Sequence, residues 1–203
     1  MRLPLAFLET VFAVVTIGIR GTVELPPAGC DCRGTNPTDP TFLCGDRRLG
    51  PASLPTTSGL GSLLHRYDRL GGLCPDEFLA KWTLNGTIQY PPFDGFQLST
   101  GGTPIEGNGT LSRGMLLDRF GKPNGKFLAP VDTPFGQRSL PPSSLETSTN
   151  YHVYRVETDT ITVLTGTIAP WFGQPGQGTQ YELPPGTTVQ SLLDARFLTE
   201  VSQ

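Results

Sequence analysis

The sequence predicts an α+β protein in which a curved antiparallel β-sheet forms the core, with few short helices and a disulfide-linked, loop-rich N-terminal segment. Three observations lead to this fold class. The chain of 203 residues contains 25 glycines and 20 prolines, a share close to twice the average, which favours turns and short strands over a helical bundle. After residue 110, strand patterns outnumber helical ones. The chain lacks the strand–helix alternation that is typical of parallel sheets.

The first twenty residues differ in character from the rest of the chain. Arg2 precedes an apolar stretch, and its uninterrupted part, residues 11–19, has the length of a signal-peptide hydrophobic region and is too short to span a bilayer. We therefore predict a signal peptide over residues 1–20 and a secreted, extracellular protein that can also lie at the cell surface. An uncleaved N-terminal anchor is the alternative.

Residues 21–79 form the predicted Cys/Gly/Pro-rich N-terminal segment, and residues 80–203 form the predicted C-terminal domain. Apolar residues at helical spacing predict helices over residues 62–70, 75–82 and 189–197. Alternating or β-branched stretches predict strands over residues 87–90, 151–157 and 161–169.

The four cysteines are Cys30, Cys32, Cys44 and Cys74. An even number after a secretion signal predicts two disulfides. A bridge between Cys30 and Cys32 would close an unusually tight ring, so we expect these two to pair separately with Cys44 and Cys74, in either combination. A zinc site is the alternative, but the ligand spacing fits poorly and His65 is the only imidazole nearby.

Two sequons, Asn85-Gly-Thr and Asn108-Gly-Thr, predict N-glycosylation of Asn85 and Asn108 in a secreted protein.

Composition excludes several functional classes. The formal net charge is −3 and there is no run of Lys or Arg, so the electrostatic footprint of a nucleic-acid-binding protein is absent. The sequence contains no GxSxG, HExxH or P-loop motif and only two histidines. The common hydrolase and nucleotidase motifs are therefore not present.

Polar and aromatic residues concentrate after residue 115. Arg119 and Arg138 stand in loops rich in Gly and Pro, and two guanidinium groups suit a diphosphate because they bind phosphate oxygens bidentately. The alternative is structural ion pairing, with Asp118 or Glu146 as partner. The aromatic residues Phe127, Phe135, Trp171 and Phe172 suit stacking on flat rings or, alternatively, a plain core. His152 lies within a predicted strand, where a structural histidine is the alternative to a functional one.

Five motifs together carry a resemblance. They are DRFG (118–121), GKFLAP (125–130), RSLP (138–141), YHVYRV (151–156) and FGQPGQGTQY (172–181). In order and spacing they resemble the tuberculosis necrotizing toxin (TNT) domain family, and within it the fungal surface NAD glycohydrolases, over roughly residues 80–200. The cysteine-rich segment before them resembles a fungal N-terminal extension.

The resemblance implies a site and an activity. Residues 80–203 are expected to form a TNT-like domain that hydrolyses NAD, and NADP as well, to nicotinamide and ADP-ribose. Arg119 and Gln180 are the implied catalytic residues. The implied substrate-binding residues are Phe127, Arg138 and His152, to which we add Phe172 as a stacking residue. An ADP-ribosyltransferase and a non-catalytic secreted adhesion module are the alternatives.

NAD is the expected substrate, and no cofactor is expected. Some fungal relatives hold calcium in a C-terminal extension; since this chain ends at Gln203, we expect that site to be absent and assign no metal ligands. The fungal relatives also lead us to expect a homodimer.

Overall fold

An antiparallel sheet organises the structure, a computed structural model that describes residues 26–55, 58–147 and 150–201. The predicted signal peptide, residues 1–20, lies outside the described residues. The main sheet has seven strands in the order β3-β7-β8-β5-β4-β6-β9, and all of its neighbours pair antiparallel. Its strands are β3 (Glu106–Ser112), β4 (Leu116–Phe120), β5 (Phe127–Pro130), β6 (Tyr151–Val156), β7 (Thr160–Thr167), β8 (Thr179–Glu182) and β9 (Leu198–Val201).

The helices are few and short, so the α+β fold class is confirmed. They are α1 (Ser58–Leu63), α2 (Pro75–Trp82) and α3 (Val189–Asp194). In the part of the chain that the structure describes, no helix has the length and apolar character needed to cross a bilayer.

The helix predicted over residues 62–70 is wrong in its bounds, because α1 ends at Leu63 and Arg66 adopts a left-handed backbone with φ 61°. A helix cannot continue through such a residue. The helix predicted over 75–82 is confirmed, with Pro75 at its first turn. The predicted terminal helix stops at Asp194 rather than 197, and Thr188 caps its start. The sequence did not predict β3, β4, β5, β8 or β9 individually. Strand β9 follows a left-handed Arg196 (φ 59°).

A small hairpin precedes the main sheet. Strands β1 (Thr83–Leu84) and β2 (Thr87–Ile88) pair through a two-residue turn. Asn85 (φ 50°) and Gly86 (φ 79°) both take the positive φ that a type I′ turn requires. Asn85 is exposed there, and Asn108 is exposed on the edge strand β3. Both predicted glycosylation sites are therefore accessible.

Two disulfides link the N-terminal segment, as the sequence predicts. Cys30 bonds to Cys74, directly before α2, and Cys32 bonds to Cys44. The alternative of a zinc site is wrong because all four sulfur atoms are used in these two bonds.

The two disulfides are expected to differ in their effect on stability. Replacing Cys30 and Cys74 together by serine is expected to lower the free energy of unfolding by about 4 kcal/mol, against about 3 kcal/mol for Cys32 with Cys44, since loop-closure entropy grows with loop length. The two bonds span 44 and 12 residues. Urea unfolding of the two double variants measures the difference. A larger loss for the shorter loop would contradict the chain-entropy argument.

The N-terminal segment shares its core with the sheet. One buried cluster joins Leu60 and Leu63 of α1 to Phe120 and Phe135, and a second joins Phe78 of α2 to later residues. A third lies within the sheet and against α3. The predicted domain boundary at residue 80 falls within α2, so this helix belongs to both predicted parts.

Candidate active site

A cavity with a volume of about 640 Å³, within the usual range for small-molecule sites, opens among the described residues. Residues of strands β4, β5 and β8 line it. Further lining comes from residues 90–95, which we call the wall at residues 90–95, and from residues 138–146 and 150. Arg119, Phe127, Arg138 and Gln180 all line it, so four of the six predicted site residues share one cavity.

Arg119 lies near the end of β4 and reaches the neighbouring loop. Its Nε donates to the Lys122 carbonyl oxygen at 2.9 Å and its Nη1 to the Phe127 carbonyl oxygen at 2.8 Å. The guanidinium lies directly against Gly125, where a Cβ atom would overlap it, and close to Gly121. Because Gly121 and Gly125 have no side chain, they leave the space that the Arg119 side chain occupies.

The positive charge of Arg119 is not compensated by any carboxylate in the part of the chain that the structure describes. Among the described residues, no carboxylate lies within ion-pair distance of its guanidinium, which bonds only to neutral carbonyls. Burial lowers the pKa of Arg119 from its ordinary value, but a guanidinium stays charged at neutral pH. A half-buried cation without a counter-ion is suited to binding an anionic ligand.

Arg138, by contrast, is a partner in a buried ion pair. Its Nη1 lies 2.6 Å from Asp118 Oδ1, and its Nη2 donates to Asp118 Oδ2 at 2.7 Å. The Tyr151 hydroxyl donates to the same carboxylate at 2.9 Å. Burial raises the pKa of Asp118, and the neighbouring Arg138 opposes that shift. The alternative of structural ion pairing is thus realised for Arg138, although its side chain still lines the cavity.

The remaining carboxylates of the cavity are paired as well. Glu146 lies 2.9 Å from Arg47, and Asp94 lies 3.2 Å from Lys126. Lys126 also lies 2.6 Å from Glu182. Each lining carboxylate thus has a cationic partner other than Arg119, whose guanidinium remains free to bind an anion.

Gln180 lies on β8, which is separated from β4 and Arg119 by the one strand β5. Its side-chain Nε2 donates to the main-chain oxygen of Asp94 at 2.9 Å. Phe127, on β5 between them, is half-buried and lies beneath the Lys126 ammonium at 5.0 Å from the ring centre. The cavity therefore combines a cation, a neutral amide and an aromatic ring.

The structure does not bring Phe172 or His152 to this cavity. Phe172 is fully buried and packs against Phe78 and Trp82 of α2. His152 lies opposite Arg119 on β6, but its Nδ1 lies 2.7 Å from Glu200 on β9. Both side chains already have partners within the fold, which agrees with the structural alternatives given for them.

Sequence reasoning missed the wall formed by residues 90–95. Tyr90, Asp94 and Gly95 line the cavity, yet nothing in their spacing pointed to a ligand. The Asp-Gly pair at 94–95 is a turn signal, and it predicts a sharp bend but not what the bend faces. Among the described residues, no three His, Cys, Asp or Glu side chains come together as a metal site.

Comparison with known proteins identifies the family. A curated relative, the conidial surface nicotinamide adenine dinucleotide glycohydrolase of Aspergillus fumigatus, is 47% identical over 192 residues, which cover 89% of this chain and 81% of the relative. The family profile described as tuberculosis necrotizing toxin (TNT) matches residues 110–201. The chain belongs to the TNT family. The TNT match contains Arg119, Phe127, Arg138 and Gln180, whereas the wall at residues 90–95 lies before it.

Two solved structures resemble the TNT-family chain more distantly. The tuberculosis necrotizing toxin, solved in complex with its immunity factor, is 22% identical with a TM-score of 0.44, covering 83% of this chain and 85% of the toxin chain. Rhs1-CT, solved in complex with its cognate immunity protein, is 16% identical with a TM-score of 0.35, covering 56% of this chain and 85% of the other.

Proposed function

We propose that this TNT-family protein is an NAD glycohydrolase, which hydrolyses the bond between nicotinamide and ribose and releases nicotinamide and ADP-ribose. One observation supports this most directly: the uncompensated guanidinium of Arg119 and the carboxamide of Gln180 line the same cavity. NAD carries a diphosphate, for which a cation is needed, and a ribose whose hydroxyl groups suit an amide. The activity named for the Aspergillus relative supports the same reaction.

The chemistry requires neither a general acid nor a metal. Nicotinamide in NAD is a pyridinium, so when the C1′–N bond breaks its electron pair returns to nitrogen and the base leaves neutral. Water then bonds to C1′ and releases a proton to solvent. Glycosidases with poorer leaving groups use two carboxylates, but the lining carboxylates Asp94, Asp118 and Glu146 are all held in ion pairs here.

The protein's contribution is orientation and charge. Arg119 binds the diphosphate, and the Arg138–Asp118 pair forms the neighbouring wall. Gln180 orients the nicotinamide ribose through hydrogen bonds that strengthen as positive charge develops on the sugar, and Phe127 shields the reacting bond from bulk water. Holding the reacting groups in this geometry supplies much of the rate, since orientation alone lowers barriers substantially.

Four finer statements belong to the same proposal. We propose that NADP is also hydrolysed, that the chain is secreted after removal of residues 1–20, that Asn85 and Asn108 carry glycans, and that two copies form a homodimer. The surface location named for the relative supports secretion, and the exposure of both asparagines supports glycosylation.

The decisive experiment incubates the full-length mature protein with NAD and no protein acceptor. Rapid release of nicotinamide with an equal amount of ADP-ribose is expected, and EDTA is expected to leave the rate unchanged. In a parallel reaction, NADP is expected to be hydrolysed as well. Labelling of an added protein by ADP-ribose, with little free ADP-ribose, would instead indicate a transferase. No turnover at all would leave the non-catalytic adhesion module.

The two aromatic residues Phe127 and Phe172 are expected to respond differently to truncation. Phe172→Ala is expected to lower the free energy of unfolding by about 3–5 kcal/mol, because it opens a cavity in the core, and to leave the KM of the folded fraction unchanged. Phe127→Ala is expected to raise KM with a much smaller loss of stability, since Phe127 is only half-buried. Thermal melting and steady-state kinetics of the two variants test this. A raised KM for a stably folded Phe172→Ala variant would return Phe172 to the site.

A further inference from the structure

The wall at residues 90–95 is fixed at both ends to the segment that follows β7. The Gln89 carbonyl oxygen accepts a hydrogen bond from Trp171 Nε1 at 2.8 Å, and the Gly95 carbonyl oxygen accepts one from the Ala169 amide at 2.9 Å. The ring of Tyr90 also contacts that of Phe172, edge to face, at 5.8 Å between centres. The segment is therefore held in one position over the cavity.

Its backbone adopts an unusual conformation at the turn. Phe93, Asp94 and Gly95 have φ angles of 52°, 54° and 83°, three consecutive residues in the left-handed region. Glycine takes this region freely and Asp tolerates it, but for a large residue such as Phe it is a true outlier. Strained backbone of this kind concentrates at functional sites, where the surrounding structure maintains it.

The turn at residues 93–95 places one main-chain carbonyl group within hydrogen-bond distance of Gln180. The carbonyl oxygen of Asp94 accepts a hydrogen bond from Gln180 Nε2 at 2.9 Å. A carbonyl accepts only from a donor, so this contact fixes which end of the carboxamide is which. The Oε1 atom of Gln180 remains without a hydrogen-bond partner among the described residues, on a side chain that lines the cavity. An acceptor in that place suits a ribose hydroxyl donor.

We infer that Asp94 is a positioning residue for the reaction: its main-chain carbonyl orients the Gln180 carboxamide so that Oε1 is presented to the substrate ribose. This inference rests on the proposed NAD hydrolysis and adds to it a group outside the TNT match at residues 110–201. The N-terminal part of the chain thereby completes the site that the TNT match contains.

The side chain of Asp94 has a separate and weaker role. Its carboxylate lies 3.2 Å from Lys126 Nζ, but the two side chains are 49% and 39% exposed. Exposed ion pairs of this kind contribute little. The inference therefore separates two properties of residue 94: its charge, which is expected to matter little, and its left-handed backbone, which is expected to matter much.

Two substitutions separate these properties. Asp94→Asn removes the charge but keeps a residue that tolerates the left-handed region, and its kcat is expected to fall far less than that of Asp94→Val. Asp94→Val removes the tolerance, because a β-branched side chain disfavours that region, and kcat is expected to fall at least about 10-fold through misplacement of Gln180. KM is expected to change much less than kcat in both variants.

Arg196→Val is the matched control. Arg196 is exposed, has a φ of 59° and follows α3 outside the cavity lining. The Arg196→Val substitution imposes the same backbone penalty as Asp94→Val. A similar fall in melting temperature with unchanged kcat is therefore expected. If Arg196→Val lowers kcat as much as Asp94→Val, the loss reflects general stability and the inference fails.

A double-mutant cycle tests the coupling itself. In a Gln180→Ala background, Asp94→Val is expected to lower kcat no further, because there is no carboxamide left to orient. Equal fold losses in both backgrounds would overturn the inference. Gln180→Glu gives a second test that leaves Asp94 intact, since a carboxylate of the same size cannot donate to the Asp94 carbonyl; wild-type kcat in that variant would also overturn it. A wild-type protein without NAD hydrolysis would overturn the proposed function itself, whereas an active wild type with additive variants would overturn only the positioning role.

Discussion

Replacing Gln180 by alanine is expected to lower kcat by about 100-fold or more, the usual effect of removing one transition-state hydrogen bond. The carboxamide is neutral, so it contributes little to binding the NAD diphosphate. In the proposed mechanism its Oε1 bonds to a sugar that becomes positively charged as nicotinamide leaves, and we expect this hydrogen bond to strengthen along the reaction. KM is therefore expected to change much less than kcat. Steady-state kinetics with NAD, followed by nicotinamide release, measures both constants.

The control for Gln180→Ala is Gln190→Ala. Gln190 is exposed on α3, and its carboxamide donates to Asp194 at 2.8 Å on the surface. Its removal deletes a hydrogen bond of the same kind away from the cavity, and wild-type kcat is expected. If both variants fold normally and Gln180→Ala also has wild-type kcat, the reaction does not use the carboxamide.

Local patterns predicted part of the architecture. Strands β3, β4, β5, β8 and β9 had no individual prediction, and the two misplaced helix ends have a common physical cause. Alternation identified β6, and apolar spacing with a proline at the first turn identified α2. The errors fall at Arg66 and Arg196, where a non-glycine residue takes a positive φ and ends a helix earlier than its apolar pattern suggests. Arginine carries no sequence signal for that conformation. Tertiary contacts decide it, so a sequence pattern alone places the helix end too late.

The site could be predicted from the sequence only where it is formed by side chains on or beside neighbouring strands of the sheet. Arg119, Phe127, Arg138 and Gln180 stand on or beside neighbouring strands, and family resemblance placed them together before the fold was known. The wall at residues 90–95 belongs to no strand of that sheet, and hydrogen bonds from Trp171 and Ala169 hold it at the cavity. Main-chain groups carry its contact to Gln180, and no residue type in a sequence marks a carbonyl oxygen as functional.

The two arginines of the cavity looked equivalent in the sequence, but their surroundings differ. Arg138 shares its charge with Asp118 and bonds to the Thr133 carbonyl oxygen at 2.9 Å, so it is held rigidly and is nearly neutral as a pair. Removing Asp118 would leave a buried cation alone, and removing Arg138 would leave a buried carboxylate, so either change disturbs folding as well as binding. Arg119 is the cleaner probe of anion binding because only neutral carbonyls hold it.

Arg119→Ala is expected to raise KM and to lower kcat/KM by roughly 30- to 150-fold, which corresponds to about 2–3 kcal/mol for a lost charge-assisted hydrogen bond to phosphate. The same substitution leaves the carbonyls of Lys122 and Phe127 without their donor, so part of its effect is structural. Gly125→Ala removes that ambiguity. The Gly125→Ala variant keeps the guanidinium but adds a methyl group where the Arg119 side chain lies. The charge is thereby displaced within the cavity, and KM is expected to rise as it does for Arg119→Ala.

Gly107→Ala is the control for Gly125→Ala, because a Cβ atom at this exposed position on β3 meets no other atom. It is expected to retain wild-type kinetics. Salt separates the electrostatic contribution of Arg119 from a shape effect, since ions screen a partly exposed charge. The wild-type KM is expected to rise with ionic strength, and the KM of Arg119→Ala to rise less. If both respond to salt equally, the diphosphate is held by some other cation, and the guanidinium of Arg119 has no part in binding NAD.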